Sequence, residues 1–328
     1  MIRLNFSVSL RYEVLAPGAD FILNIQAART RHQHVVNEHL TLSQAVLPRA
    51  HTDAVAHTRY LCLKAVPGPL QIDYEATVDI AHYRAAPDNL PEVAVADLPG
   101  HVLPYLYPSR YCESDRLYGF ANQQFGGLWQ GYGRVMAIRD WVSQNVRFQS
   151  NTSVSTTSAC DTLASRQGVC RDFAHLMIAL CRALNIPARF ATGMDYGADP
   201  ILGPPDFHAY VEAWVGNRWY LFDPSGTAIP MGFVRLATSR DAADAAFATI
   251  FGPVQSQAPK VHIEAVPGVD GMLNMPQHTL EALHANDGQW IRRHAFDIEA
   301  IRRKAQRVDT FADCSVHKTV LAESPAWQ

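Results

Sequence analysis

Arg166-Gln-Gly-Val-Cys-Arg-Asp-Phe-Ala-His-Leu-Met-Ile-Ala-Leu-Cys-Arg-Ala-Leu-Asn-Ile-Pro-Ala-Arg189 is the stretch on which the fold turns. From Cys170 the apolar positions Phe173, Ala174, Met177, Ile178, Cys181 and Leu184 recur at steps of three and four, the spacing that lines one side of an α-helix. Pro187 stops that helix shortly after Asn185, and Gly168 is expected to give the tight turn that leads into it. A thiol in the first turn faces unpaired backbone N–H groups and the positive end of the helix dipole. Both favour the thiolate, so Cys170 is placed as a nucleophile is placed.

A thiolate nucleophile needs a base, and the base needs a group to orient it. Residues 207–225 can supply both. His208-Ala-Tyr-Val-Glu-Ala-Trp-Val215 alternates as a strand, Gly216-Asn217 is a two-residue turn pair, and Arg218-Trp-Tyr-Leu-Phe-Asp223 is the returning strand, ended by Pro224. Such a turn pairs Val215 with Arg218; counting outward, Tyr210 stands opposite Asp223 and His208 opposite Ser225. His208 and Asp223 then project from one face as diagonal neighbours, roughly 7–8 Å apart between backbones, within side-chain reach. A slip of one residue would separate them onto opposite faces. The expected geometry has one imidazole nitrogen on Asp223 and the other facing the Cys170 sulfur.

Gly168-Val-Cys-Arg-Asp-Phe-Ala-His-Leu176, Leu184-Asn-Ile-Pro-Ala-Arg189, Phe207-His-Ala-Tyr-Val-Glu-Ala-Trp214 and Trp219-Tyr-Leu-Phe-Asp-Pro224 together resemble the transglutaminase-like superfamily of bacterial proteins, over roughly residues 100–266. The resemblance implies Cys170 as nucleophile, His208 as general base and acid, and Asp223 as the orienter of the imidazole. The fold it implies is α+β: a papain-like transglutaminase core, with a helix packed on an antiparallel sheet, behind an all-β sandwich-like domain.

Other readings of the same residues are more ordinary. Cys170 could be a buried cysteine, as Cys181 is read to be, and His208 or Asp223 alone would pass for a strand histidine and a turn residue. The three together argue for chemistry. His175 is near in sequence, but five residues along a helix is about 140° around it, so it faces away from Cys170 and reads as structural. Asp172 suits a first-turn helix charge, and Glu212 shares the His208 face but lies further along the strand.

The 328 residues, 48% hydrophobic and 18% charged with a net charge of −3, have ordinary globular composition. No long run of like charge points to nucleic acid. The start, Met-Ile-Arg-Leu-Asn-Phe-Ser-Val-Ser-Leu10, alternates instead of forming an apolar block, so neither a signal peptide nor a membrane span is expected. Six cysteines at 62, 112, 160, 170, 181 and 314, with no C-x-x-C pair, read as free thiols of a reducing, cytoplasmic compartment.

Residues 1–95 read as an all-β domain: Ile2, Leu4, Phe6, Val8 and Leu10 share a face, as do Phe21, Leu23 and Ile25, and Leu70 to Ile80 alternates most clearly of all. Residues 96–266 form the catalytic core with a Pro- and Tyr-rich linker at its start, a helix over residues 131–146 burying Val135, Ile138, Trp141 and Val142, and a polar loop at 150–158 capping a short helix near the nucleophile. The loop at 195–207, rich in Gly and Pro, is expected to wall the cleft. Residues 267–328 are an extension with one basic amphipathic helix, on Trp290, Ile291, Ala295, Ile298, Ile301 and Ala305, that packs on its own protein. His32, His34, Glu38 and His39 invite a metal reading, but along a strand Glu38 stands roughly 13 Å from His34, too far to share an ion, so a solvated polar face is preferred.

Acyl transfer at an amide bond follows, with no metal or organic cofactor and a peptide or protein substrate. A cysteine peptidase or amidase leads. True transglutamination, glutamine to amine, is the second reading and a non-catalytic binding module of the same fold the third. The Cys170 N–H is a natural oxyanion donor. Animal transglutaminases carry a tryptophan upstream of the cysteine, and none stands between Trp141 and Cys170, which favours water as acceptor.

Overall fold

The computed structural model describes residues 1–54, 56–197 and 206–284. The chain opens with strands β1 (Ile2–Val14), β2 (Ala19–Leu23), β3 (Gln33–Leu42), β4 (Arg49–Thr52), β5 (Arg59–Ala65), β6 (Gly68–Ile80) and β7 (Tyr83–Ala85). Helices α1 (Tyr118–Phe125) and α2 (Tyr132–Asn145), strand β8 (Arg147–Phe148), α3 (Ala159–Ser165), strand β9 (Gln167–Gly168) and α4 (Cys170–Ala183) follow. Then come β10 (Ala188–Asp195), β11 (Phe207–Val215), β12 (Arg218–Phe222) and β13 (Phe233–Ser239), and last β14 (Ala248–Phe251), β15 (Val254–Ser256), β16 (Lys260–Ala265) and β17 (Ala282–His284).

Alternation dictates the first layers. β1 pairs with β6 from Ile2 opposite Ile80 to Val14 opposite Gly68, and the alternating apolar side chains of both strands are buried. They pack against Phe21 and Leu23 of β2 and Leu61 and Leu63 of β5, in a second sheet ordered β14-β2-β5-β4. The result is a sandwich, as two strands with one apolar face each require.

The sandwich also takes in residues placed in the catalytic core from the sequence. β16 pairs with β1, Leu4 opposite Ala265, β15 pairs with the far end of β1, and β14 pairs with β2. The sandwich therefore extends beyond the expected 1–95, taking in strands from the end of the 96–266 segment. β1 and β2 each have a second edge to be satisfied, and these late strands supply the hydrogen bonds. β3 contains a bulge between Val35 and Asn37, which turns Glu38 to the inner face opposite Ala76 while His34, opposite Asp79, points outward. His34 and Glu38 do not share a face, contrary to a regular strand. Glu38 instead binds Arg59 at 2.7 Å and accepts the Tyr74 hydroxyl at 2.6 Å.

The core sheet is antiparallel, ordered β12-β11-β10-β13, with α4 on one face and Met194, Val234 and Leu236 joining the sandwich core on the other. With both faces covered, β10 is buried along its whole length. α4 is buried on every side from Asp172 to Ala183, not along one stripe, because α1, α2 and α3 cover what the sheet leaves open. Arg182 is satisfied inside: it donates to the carbonyls of Ala188, Tyr107 and Arg240, and to Ser109. In α2, Val135, Ile138 and Val142 are buried and Trp141 partly so. Among the described residues no helix is long and apolar enough to cross a membrane. The amphipathic segment from Trp290 lies outside the described residues.

Candidate active site

Cys170 is the first residue of α4, so its N–H has no acceptor within the helix. Asp172 holds that helix start: its carboxylate accepts the Val169 N–H at 2.8 Å and the Ser153 hydroxyl at 2.9 Å. Arg171 ties the same loop down through Ser153 and the Val154 carbonyl. The polar loop thus lies beside the nucleophile, and Ser158 caps α3 in a capping box with Asp161. Gly168 is required for space, not for the turn: a Cβ there would sit 2.7 Å from the Cβ of Asp172. The left-handed residue at this corner is Arg166, at φ 56°.

The hairpin has the predicted register. Gly216 and Asn217 both adopt positive φ, 54° and 61°, as a type I′ turn demands, and Val215 faces Arg218 out to Val211 facing Phe222. Continuing that register brings His208 Nε2 to 3.4 Å from Asp223 Oδ1 and 3.4 Å from Ser225 Oγ. Ser225 donates its N–H and its hydroxyl to Asp223 Oδ1, at 2.9 and 2.6 Å, and Ala228 N–H donates to Oδ2 at 3.1 Å. Burial alone would push the Asp223 carboxyl up, but the imidazole and these donors outweigh it and hold it below the usual carboxylate range.

One expectation needs correcting. His208 Nδ1 does not face the sulfur; it lies 2.8 Å from Asp195 Oδ2. Asp195 comes from β10, two residues beyond Gly193, which pairs with His208. A carboxylate is a far stronger hydrogen-bond acceptor than a thiol, so it takes the ring nitrogen. Asp195 is the last residue of β10 and not the start of the loop expected at 195–207, and only with residues 188–195 as a strand does a diagonal count from His208 reach it.

Cys170 and His208 line one cavity of about 1110 Å³, together with Asp195, Asp206, Ser150 and Asn151. Cys170 is half-buried and lines the cavity, and its sulfur lies 4.0 Å from the Phe207 carbonyl. Two stacked rings, Phe207 and Phe247 at 4.3 Å, and alanines 242–248 make an apolar wall. Residues 198–205 of the expected wall lie outside the described residues. Three of the other thiols are less suited to reaction: burial pushes Cys112 up to about 12, and raises Cys160 and Cys181 as well. His175 is fully buried, its Nε2 accepting the Ala242 N–H at 3.1 Å and its ring stacked on Tyr111, consistent with a structural role. Glu212 is paired with Arg189 and Arg235, not with His208.

Residues 119–224 match the transglutaminase-like superfamily, and residues 2–101 match the bacterial transglutaminase N-terminal domain. A crystal structure from Cytophaga hutchinsonii, named as a candidate cysteine protease, is 38% identical with a TM-score of 0.78, covering 87% of this chain and 98% of that one. The chain belongs to the transglutaminase-like superfamily. An uncharacterized protein of Mycobacterium leprae is 30% identical over 117 residues, 34% of this chain and 42% of that protein, so the match spans less than half of its length. The periplasmic domain of TgpA from Pseudomonas aeruginosa, bound to ethylmercury, is 17% identical with a TM-score of 0.35 over 70% of this chain and 92% of that one. Residues 272–328 match a protein family of unknown function. Within the superfamily, the α+β core and the N-terminal β-rich domain described above are the expected architecture.

Proposed function

We propose that this transglutaminase-like protein is a thiol acyl-transfer enzyme that hydrolyses amide bonds in a peptide or protein substrate, a cysteine peptidase or amidase. The observation that carries the reading is a half-buried cysteine at the start of a buried helix, in one cavity with an imidazole tied to a buried carboxylate. Cys170 thiolate adds to the amide carbon and the carbonyl electron pair moves onto oxygen, where the Cys170 N–H is in position to donate. Collapse expels the amine, which takes the proton of the His208 imidazolium and leaves a thioester. Neutral His208 then removes a proton from water as its oxygen adds to the thioester. Collapse frees the acid and the thiolate, and Asp223 keeps the ring oriented throughout. The chemistry calls on no metal or organic cofactor. The proposal extends to a reducing, cytoplasmic setting, in keeping with the five free thiols among the described residues.

Transglutamination would use the same thioester and differ only in what resolves it. A peptide-library screen with and without millimolar primary amine separates the two. Hydrolysed product should predominate in both arms and vanish in Cys170→Ala; predominant amine incorporation would make the protein a transglutaminase. Brief iodoacetamide treatment at pH 7 should label Cys170 before the other five cysteines, and first labelling of Cys160 or Cys181 would remove the nucleophile assignment.

A further inference from the structure

His208 is held by two carboxylates, not one. Asp195 Oδ2 stands 2.8 Å from Nδ1 and Asp223 Oδ1 3.4 Å from Nε2, and the three residues are 3, 5 and 8% exposed for Asp195, Asp223 and His208. Each carboxylate has its own hydroxyl: Tyr210 donates to Asp195 Oδ1 at 2.5 Å, as Ser225 donates to Asp223 Oδ1 at 2.6 Å. The position of Asp195 is built into the sheet. β10 pairs with β11 in unbroken register, Gly193 opposite His208, which sets Asp195 diagonal to the ring; β13 carries a bulge at Leu236 beside Gly193, and a Cβ at Gly193 would sit 2.0 Å from the Val234 carbonyl oxygen, so only glycine lets β13 close there.

An imidazole with carboxylate acceptors at both nitrogens must present an N–H to each, and only the imidazolium has two. A neutral ring would turn a lone pair toward one buried carboxylate, two acceptors face to face, and leave that charge fewer donors, an arrangement that burial penalises. Resting on the reading above, we propose that Asp195, oriented by Tyr210, is a second positioning residue that keeps His208 in its imidazolium form. Cys170 then enters the reaction as a thiolate beside a ready acid, and no base step precedes attack. The ionisable groups that face the ring are Asp195 from β10, Tyr210 on its own strand, Asp223 beyond β12, Cys170 from α4 and Asp206 just ahead of β11. Burial would lower His208, but the carboxylates and the Cys170 sulfur outweigh it and hold the ring well above the ordinary histidine range.

The test needs no substrate. In the intact chain, alkylation of Cys170 by the anion iodoacetate is followed against pH by mass spectrometry, with neutral iodoacetamide as reference. The anionic reagent is favoured while the ring is charged, so its relative rate falls as His208 loses its proton. In Asp195→Asn that fall should move to lower pH by about 1–3 units, the size of shift a close opposite charge produces, while Asp195→Glu restores part of it. Tyr210→Phe should move it the same way by less, and it decides the matter if Asp195→Asn does not fold. A fall at the parental pH in the folded variants would overturn the role of Asp195, even if their melting temperatures drop. If the parental fall persists in His208→Gln, the thiolate–imidazolium reading itself is wrong and this inference goes with it.

Discussion

Strand β11 carries two buried charge clusters on one face, four residues apart, with their signs reversed. At Glu212 an anion lies between two cations, Arg189 at 2.7 Å and Arg235 in closer contact; at His208 a cationic ring lies between Asp195 and Asp223. Burial would push the Glu212 carboxyl up, but the two guanidiniums outweigh it and hold it down. That cluster is closed. Arg189 lies 4.1 Å over the Trp219 ring, and the Arg235 backbone is clamped on both sides by Gln33. An arginine cannot give up its proton in any accessible pH range, and the two guanidiniums keep Glu212 ionised, so the cluster holds one charge state around neutral pH. The His208 cluster has a centre that titrates and an edge on the cavity. Burying charge is thus no mark of a site; a buried charge that can move a proton into a cavity is.

The contrast breaks or sharpens under substitution. Asp223→Asn should lower kcat/KM on any amide substrate by about 10³–10⁴-fold while leaving the protein folded, because the ring loses the partner that fixes its orientation. A loss of stability with activity intact would put both clusters in the structural class. Glu212→Gln should do the reverse: about 3–5 kcal/mol lost in urea unfolding, since two buried guanidiniums lose their counter-charge, with the pH profile of Cys170 alkylation unchanged in the folded fraction. A shifted profile would mean the clusters are coupled. Ser225→Ala removes one hydroxyl from Asp223, a hydrogen bond to a charged group of about 1.5–3 kcal/mol, and should lower kcat/KM by roughly tenfold or more; an unaltered rate would show that Ala228 and the Ser225 backbone suffice.

The most gradual effect, small per pH unit, concerns His175, a buried ring that must stay neutral. Its Nε2 accepts a hydrogen bond from Ala242, and burial holds it down at about 3 against an ordinary 6.5. Below pH 6.5 the unfolded chain binds a proton that the folded one refuses, so stability is full above that pH and declines toward about 3. The slope from this residue is at most about 1.4 kcal/mol per pH unit. Urea titrations at several pH values should show it, and His175→Phe should flatten the curve over that window.

What could be read from the sequence is what short-range rules determine. The register of the hairpin follows from one Gly-Asn turn, and the start of α4 from the run of apolar residues after Cys170, so the places of Cys170, His208 and Asp223 in the fold could be read from short-range rules. Asp195 could not, because its place diagonal to His208 shows only once residues 188–195 are known to be a strand that sets Gly193 opposite His208. A bulge in β3 reverses the face of Glu38. The full burial of α4 was hidden by Asp172, His175 and Arg182, whose polar side chains imply solvent until their partners are known. The pairing of β14, β15 and β16 with β1 and β2 joins residues too distant for periodicity to link.

That last pairing bears on how the chain is made. Leu4 waits for Ala265, so β1 reaches its final neighbours only after the whole catalytic segment has left the ribosome. At 5–20 residues per second that delay is on the order of ten to fifty seconds. During it, β1 and β2 present open edges capable of pairing with other nascent chains. A gene cut near residue 95 would make this condition permanent. Expressed alone, the N-terminal sandwich should collect in inclusion bodies, and a separate peptide carrying residues 246–266 should help bring it back into solution.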